Sequence, residues 1–411
     1  MISSERILQE PFSQETNMKT KTCLLRMTEH EHYLFAAKSK ILGTNKSTMF
    51  RNGAMAYWNG HAEPDTDMFL KLYQDGSSEE KSTIVDILFK YYRIMGYPHR
   101  NLSADELRRN MRTLSVTKDP LLDNGHLQSN TTGLALANHF HHHMVKVRCL
   151  TNYRSPYDQF SDDDLLRDSI NRWMELGQKA SPSGLRRILR TRDGVRSVVN
   201  FKPAIAKYFY DNYCPHNGRV LDPCAGYGGR LAGCIASNKG ITYQGIDPQG
   251  STGVGNMRMA SFYSRQKGIE REWKFGFDFI LGCAEDRMKD LSDKSCDLIF
   301  TSPPFFDVEK YDTDSSQSYI RYPVYEEWKR NFLAELIKES SRIVKTDGHV
   351  IFNIKNYKNK AIADDLCFYC QESGLRLVKT YQMRLVNSEY NRKEGQNNWH
   401  TEPIFVFVVS Q

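Results

Sequence analysis

The sequence lacks long apolar runs and a cysteine framework. No stretch approaches the roughly 20 apolar residues of a membrane-spanning helix, and residues 1–21 lack the apolar core of a secretory signal. The nine cysteines are odd in number and scattered, which favours a reducing compartment over disulfides. Cys367 and Cys370 form a CxxC without a second pair at zinc spacing. We therefore expect a cytoplasmic protein with no membrane partner and no structural zinc.

Basic residues outnumber acidic residues only slightly. Lys and Arg total 56 against 49 Asp and Glu, which gives a net charge of +7 and a pI of about 8.8. This balance suits a polyanionic partner without requiring one. Apolar residues make up 40% of the chain, with 21 Phe and 22 Tyr, so wholesale disorder is excluded. A length of 411 residues predicts more than one domain.

The pattern of predicted secondary structure changes near residue 195. Residues 1–21 are polar and predicted to form a flexible tail. Residues 22–195 mix loops with helical patterns at 82–95, 103–114 and 162–178, and Ser103 and Glu106 have capping-box spacing. We predict a mainly helical accessory domain over 22–195 and a second domain over 196–411.

In the second domain, short apolar strands alternate with helices. The predicted strands are GRVLD (218–222), ITYQGID (241–247), FDFILGC (277–283), CDLIFTS (296–302) and GHVIFNIK (348–355), followed by two closing strands, LRLVKTYQMRLV and PIFVFVVS. Such alternation predicts a parallel sheet covered on both faces. The predicted fold class is α/β, a doubly wound, mostly parallel sheet with an antiparallel C-terminal edge hairpin.

Three strand ends carry polar or glycine-rich patterns. In GRVLDPCAGYGGR a strand ends at Asp222, and a glycine-rich turn leads to a helix near Gly228. Such a turn brings backbone N–H groups close to a ligand, or simply makes a tight connection. Asp247 ends the next strand, where it could accept hydrogen bonds from ribose hydroxyls or cap a helix. Asp286 follows the third strand and could meet an adenine amino group or cap a helix.

The ordered set DPCAGYGG, GIDPQ, AEDRM and TSPPFF resembles the class I S-adenosylmethionine-dependent methyltransferases. SPPF is similar to the tetrad of enzymes that methylate exocyclic amino groups, chiefly of DNA bases. The resemblance covers roughly residues 198 to 411. It implies S-adenosyl-L-methionine as cofactor and no metal. NFKPAIAKYFY (200–210) resembles the segment that closes over the methionine end of the cofactor, although Pro203 also suits a first helical turn. The cofactor-binding residues implied are Phe201, Lys202, Pro203, Asp222, Pro223, Ala225, Gly226, Gly228, Asp247, Pro248, Glu285 and Asp286.

The same resemblance implies that the tetrad Ser302, Pro303, Pro304 and Phe305 is catalytic. An exocyclic nitrogen is a weak nucleophile because its lone pair is delocalised into the ring. Two fixed acceptors on its N–H groups would stabilise the positive charge that develops. The Ser302 hydroxyl and the Pro303 carbonyl could be these acceptors, and Phe305 could stack on the target ring. The alternative is a cis-proline turn with Phe305 in the core.

The resemblance implies DNA as the partner, either duplex DNA with the base flipped out or single-stranded DNA. A serine at the first tetrad position favours cytosine N4 over adenine N6. Two alternatives stay open: methylation of an RNA base amine or a protein glutamine amide, and a non-catalytic nucleic-acid-binding protein with a vestigial transferase fold. The intact Asp222, Gly226, Gly228 and Asp247 weigh against the last.

The accessory domain is expected to help recognise the target. Its basic run at 179–196 could lie along phosphates or form a solvated helix face. Two polar loops could also touch nucleic acid, through Lys310, Arg321, Arg392 or Lys393. The four histidines of NHFHHHMVKVRC (138–149), including His139 and His143, favour a packing role over a metal site. The sequence does not indicate an oligomeric state.

Overall fold

The computed structural model describes residues 66–122, 125–150, 152–177, 181–264, 273–311, 313–385 and 400–410. The chain divides into two compact units, Met1–Ile84 and Val85–Gln411. The first unit contains α1 (Thr66–Asp75) and the start of α2 (Ser78–Met95). The predicted tail at 1–21 lies outside the described residues, and the predicted domain boundary near residue 195 stays a prediction. Every site discussed below belongs to the second unit.

The first part of the second unit is mainly helical, as expected. Ser103 begins one helix with a complete capping box to Glu106, and Asp162 caps another through the backbone N–H of Leu165. The elements are α3 (Ala104–Ser115), β1 (His126–Leu127), α4 (Leu134–His139), a 3₁₀ turn (His142–Lys146), β2 (Arg148–Cys149), α5 (Pro156–Ser161), α6 (Asp163–Glu175) and α7 (Pro182–Thr191).

The remaining chain alternates strands and helices. Its first elements are α8 (Pro203–Tyr213), β3 (Arg219–Asp222), α9 (Gly229–Ser237), β4 (Thr242–Asp247), α10 (Gly250–Ser264), β5 (Gly276–Leu281), α11 (Ala284–Arg287), a 3₁₀ turn (Met288–Asp290), β6 (Cys296–Thr301) and β7 (Glu309–Lys310). Its last elements are α12 (Ser318–Arg321), α13 (Tyr325–Trp328), a π turn (Lys329–Leu333), α14 (Ala334–Ile343), β8 (Val344–Asn353), α15 (Ile362–Glu372), β9 (Leu375–Arg384) and β10 (Thr401–Val409).

Eight strands form one sheet in the order β1-β9-β10-β8-β6-β3-β4-β5. Neighbouring strands are parallel except that β10 runs antiparallel to β8 and β9. The predicted fold class, a doubly wound α/β sheet with an antiparallel C-terminal hairpin, is therefore confirmed. The hairpin has an unexpected neighbour, because β1 from the predicted accessory region pairs with β9. Strand order reverses between β3 and β6, and ligands of open α/β sheets bind at such a switch point.

Two hydrophobic clusters cover the two faces of the sheet. Along β6, Leu298 and Phe300 belong to one cluster and Ile299 to the other, as the alternation of a strand requires. The first cluster also contains Met111 and Leu136 from α3 and α4. The accessory helices therefore share a core with the sheet. In the described part of the chain, no helix combines the length and apolar character needed to cross a membrane.

Gly228 precedes the first residue of α9 and has a left-handed backbone conformation, with a φ of 72°. A Cβ there would lie 2.7 Å from the Met259 side chain and 2.8 Å from both Asn256 and His141. Gly374 has a similar φ of 75° but no atom within 4 Å of the same position. We expect Gly228→Ala to cost about 2–4 kcal/mol, since overpacking adds to backbone strain.

Gly374→Ala should cost only about 1–2 kcal/mol, the left-handed strain alone. Denaturant unfolding of both variants measures the difference. Equal losses of unfolding free energy in the two variants would show that the side chains around Gly228 move to accommodate a methyl group at no cost.

Candidate active site

A cleft of about 1120 Å³ lies in the second unit and is lined by the residues that follow β3, β4 and β6. Most of the predicted site residues line it together. Those in the lining are Phe201, Lys202, Pro223, Ala225, Gly226, Asp247, Pro248, Glu285, Ser302, Pro303, Pro304 and Phe305. Those outside the lining are Pro203, Asp222, Gly228 and Asp286.

Asp247 ends β4 and holds the glycine-rich loop. Its Oδ2 accepts a hydrogen bond from the backbone N–H of Gly226 at 3.0 Å, and its Oδ1 accepts one from Gln249 at 2.9 Å. Gly226 has a φ of 55°, so its backbone favours glycine. Burial raises the pKa of Asp247 to about 6. The carboxylate thus serves the turn before α10 while lining the cleft.

Asp222 lies behind the cleft wall, fully buried in an ion pair. Arg230 donates to it twice, from Nε to Oδ2 at 2.6 Å and from Nη2 to Oδ1 at 3.1 Å. The Tyr243 hydroxyl donates to Oδ2 at 2.6 Å. Arg230 also bonds the Cys224 carbonyl and itself lines the cleft. Asp222 therefore supports the loop through Arg230, a residue that sequence reasoning did not select.

The segment predicted to close over the cofactor contributes three residues to the cleft, Asn200, Phe201 and Lys202. Lys202 is buried, and its Nζ donates to the Ser129 hydroxyl at 2.9 Å and to the Arg384 carbonyl at 2.8 Å. Burial lowers the pKa of Lys202. The Phe201 ring lies 5.5 Å from the Arg230 guanidinium. Pro203 occupies the first turn of α8 and is buried there, which is the alternative that the sequence offered for it.

The two acids after β5 separate in role. Glu285 is buried and lines the cleft, whereas the Asp286 side chain is half exposed and lies outside the lining. Arg321 pairs with both, at 2.8 Å and 2.6 Å. Burial raises the pKa of Glu285. Arg321, predicted as a nucleic-acid contact, is thus held by carboxylates; Arg392 and Lys393 lie outside the described residues.

The SPPF tetrad follows β6 and turns into the cleft. The Ser302 hydroxyl donates to the Asn353 carbonyl at 3.1 Å, with Asn353 Oδ1 at 3.3 Å. Because the proton is engaged there, the lone pairs of the hydroxyl oxygen are available as acceptors. Asn353 ends β8 and donates from Nδ2 to the Pro403 carbonyl. Its signal in the sequence was a single amide within the apolar strand predicted at 348–355.

The two phenylalanines of TSPPFF have different surroundings. Phe305 lines the cleft, whereas Phe306 is buried at a φ of 58° with its ring against Tyr325 and Trp328. The described residues contain no cis peptide bond. The cis-proline part of the alternative is therefore wrong for this structure. Phe305 is partly buried and packs against the core that contains Phe306, while it also lines the cleft.

A polar wall that the sequence did not reveal adjoins the tetrad. Tyr311 donates its hydroxyl proton to Glu309, and Lys355 pairs with Glu402; all four line the cleft. Burial raises the pKa of Glu309. Long-range pairing assembles this wall, since β7 carries Glu309 and β10 carries Glu402.

The histidine-rich segment packs against the glycine-rich loop. His139 and His143 are not on one helix, because α4 ends at His139. His139 Nδ1 accepts from the Leu102 N–H, and His143 Nε2 bonds the Thr252 hydroxyl at 3.2 Å. No group of three or more potential metal ligands occurs among the described residues.

Comparison with known proteins gives weak structural likenesses. A TehB-like SAM-dependent methyltransferase from Corynebacterium glutamicum is 14% identical, with 51% of this chain and 89% of that chain covered and a TM-score of 0.33. A SAM-dependent methyltransferase from Methanosarcina mazei is also 14% identical, with 52% and 100% covered and a TM-score of 0.34. A precorrin-6y C5,15-methyltransferase from Geobacter metallireducens is 12% identical, with 51% and 86% covered and a TM-score of 0.33.

No family model and no curated protein sequence matches the chain. At TM-scores this low, the likenesses add nothing to the strand order and directions on which the fold assignment rests.

The buried ion pair between Asp222 and Arg230 should contribute strongly to the stability of the protein. Asp222→Asn should destabilise the protein by about 3–5 kcal/mol, because it leaves the buried Arg230 charge uncompensated. The Glu335–Lys338 pair on α14 is the control, because its side chains are 32% and 64% exposed and Glu335→Gln should cost no more than about 1 kcal/mol. Denaturant unfolding compares the two. A small loss for Asp222→Asn would show that water or another group compensates Arg230.

Proposed function

We propose that this protein is an S-adenosylmethionine-dependent methyltransferase that modifies an exocyclic amino group of a DNA base, with cytosine N4 favoured over adenine N6. One observation carries the proposal. The acceptor oxygen of Ser302, the Phe305 ring and the candidate nucleoside-binding acids Asp247 and Glu285 all line one cleft at the switch point of the sheet.

The cleft fits the proposed cofactor in size and in chemistry. Its volume of about 1120 Å³ exceeds the roughly 300–1,000 Å³ of an ordinary ligand pocket, so it has room for a nucleoside and a second ring. Each oxygen of Asp247 accepts one backbone N–H bond, which leaves further lone pairs for ribose hydroxyls. Glu285 Oε1 is paired with Arg321 and the carboxylate also accepts a hydrogen bond from its own backbone N–H, while its remaining lone pairs could accept from an adenine amino group.

When bound, the cofactor would supply an electrophilic methyl group, and the N–C bond to the target amine would form as the C–S bond breaks. The protein's part is to hold that amine. Ser302 accepts one N–H bond, because its own proton is engaged by Asn353. The Pro303 carbonyl accepts the other, and the prolines limit its movement. Both acceptors stabilise the positive charge on nitrogen, and the departing proton passes to solvent.

The test is methylation of DNA by the purified protein with methyl-tritiated cofactor, followed by nucleoside analysis. We expect label in N4-methylcytosine. Ser302→Ala should lower kcat about a hundredfold while cofactor affinity stays unchanged, because it removes one of two transition-state acceptors. Label in N6-methyladenine would correct the target base, and label only in RNA or protein would overturn the DNA assignment.

Ser341→Ala is the matched control for this experiment. Ser341 also donates its hydroxyl proton to a backbone carbonyl, that of Ser373 at 2.6 Å, but it lies outside the cleft lining. Ser341→Ala should therefore leave kcat unchanged. Equal losses in the two serine variants would mean that Ser302 acts through stability and not at the amine.

The raised pKa of Asp247 predicts a pH dependence of cofactor binding. Its carboxylate protonates as pH falls through about 6, and a neutral acid accepts hydrogen bonds poorly. The Kd for S-adenosylmethionine should therefore be flat at alkaline pH and rise about tenfold per unit below pH 6. Calorimetry across this range measures the profile.

Asp247→Asn should bind weakly at every pH and lose the inflection. Asp278→Asn, on the exposed side of β5, should keep the wild-type profile. An inflection that survives in Asp247→Asn would assign the titration to another group.

A further inference from the structure

The basic run of the accessory region forms one wall of the active-site cleft. Residues 182–191 of this run form α7, whose apolar residues Leu185, Ile188 and Leu189 are buried. The cleft-lining residues of α7 are Ser183, Arg186, Arg187, Arg190 and Thr191. Their spacing of three, four, seven and eight residues places them on a single helical face. Arg196, just beyond the helix, lines the same cleft.

Neutral oxygens orient three of these guanidinium groups, and Arg186 Nη1 donates to the Pro98 carbonyl at 2.7 Å. Arg190 Nε donates to the Ser197 hydroxyl at 3.3 Å, and Arg196 Nη2 donates to the Tyr153 hydroxyl at 3.3 Å while lying 4.3 Å from that ring. Both side chains are exposed. These contacts position the positive charges without neutralising them. By contrast, Arg192 is paired with Asp168 at 2.5 Å and lies outside the cleft lining.

Backbone hydrogen bonds connect this wall to the tetrad. The Arg154 N–H donates to the Gly194 carbonyl, and the Arg196 N–H donates to the Arg154 carbonyl. Further along, the Leu150 N–H donates to the Val308 carbonyl, and β2 pairs with β7 directly after the tetrad. The arginines are thus held at a defined place relative to Ser302.

We propose that α7 and Arg196 bind the sugar–phosphate backbone of the DNA strand whose base enters the cleft at Ser302. The inference rests on the proposed function and names the part of the substrate that this wall contacts. The step from Arg186 to Arg190 spans about 6 Å of helix, a little under two of the roughly 3.4 Å axial spacings between phosphates of one strand. Guanidinium groups bind phosphates through paired, charge-assisted hydrogen bonds.

Contacts of this kind supply affinity and register but no sequence information. The wall therefore holds any DNA strand near the tetrad, and base recognition falls to other parts of the cleft. Each phosphate contact releases counterions, so the slope of log Kd against log salt concentration reports the number of contacts made through this wall.

The experiment measures Kd against salt concentration for a fluorescent oligonucleotide of mixed sequence, single-stranded and duplex. Arg190→Gln and Arg196→Gln should each lower the slope of log Kd against log salt by about one. Equivalently, the affinity that wild type loses between about 50 and 200 mM salt should shrink about 3.5-fold per variant. Arg190→Lys should keep the wild-type slope.

Arg192→Gln is the matched control, since it removes the same charge between the two test positions without touching the cleft. It should leave the slope unchanged. If all three glutamine variants share one slope while wild type methylates DNA, the inference fails and the proposed function stands. If wild type methylates no DNA but its DNA binding depends on Arg190 and Arg196, the reaction is wrong and the backbone contacts stand. Dependence seen only with RNA of the same sequence would overturn the inference.

Discussion

The buried pair of Asp222 and Arg230 is the interaction on which the cleft depends. It joins the end of β3 to the first turn of α9, and Tyr243 adds a third tie from β4. Arg230 extends the network to the carbonyl of Cys224 in the glycine-rich loop. Two buried charges are tolerated only when each is fully paired, so the strand end, loop and helix must form together. That fixed loop brings the Gly226 N–H to Asp247.

The accessory elements belong to the same framework. β1 covers the outer edge of β9, where an unpaired strand would expose its hydrogen-bonding groups. Tyr263 of α10 donates to the Leu107 carbonyl of α3, and β2 pairs with β7. One wall of the cleft therefore consists of the residues that follow the sheet strands, including the tetrad, and another consists of the basic residues of α7. Backbone hydrogen bonds within the second unit join the two walls.

At the tetrad, orientation matters more than composition. The lone pairs of the Ser302 hydroxyl are free to accept because its O–H donates to the backbone carbonyl of Asn353 on the neighbouring strand. Phe306 turns into the core at a positive φ and anchors the chain against Trp328, which leaves Phe305 at the cleft. The corner thus carries one ring anchored in the core and a second ring, that of Phe305, which packs against this core and lines the cleft.

Local sequence patterns predicted the alternation of strands and helices, the capping of α3 by Ser103, and strand ends at Asp222 and Asp247, because periodicity and caps are local properties. The strand predicted to end at Ser302 ends one residue earlier, at Thr301. The contacts between polar groups, by contrast, depend on the tertiary fold. Asp222 turned to Arg230 and Asp247 to the loop, and Asn353 met Ser302 because β8 pairs with β6. Residues far apart in the chain become neighbours through strand pairing and burial, and no local pattern records that choice.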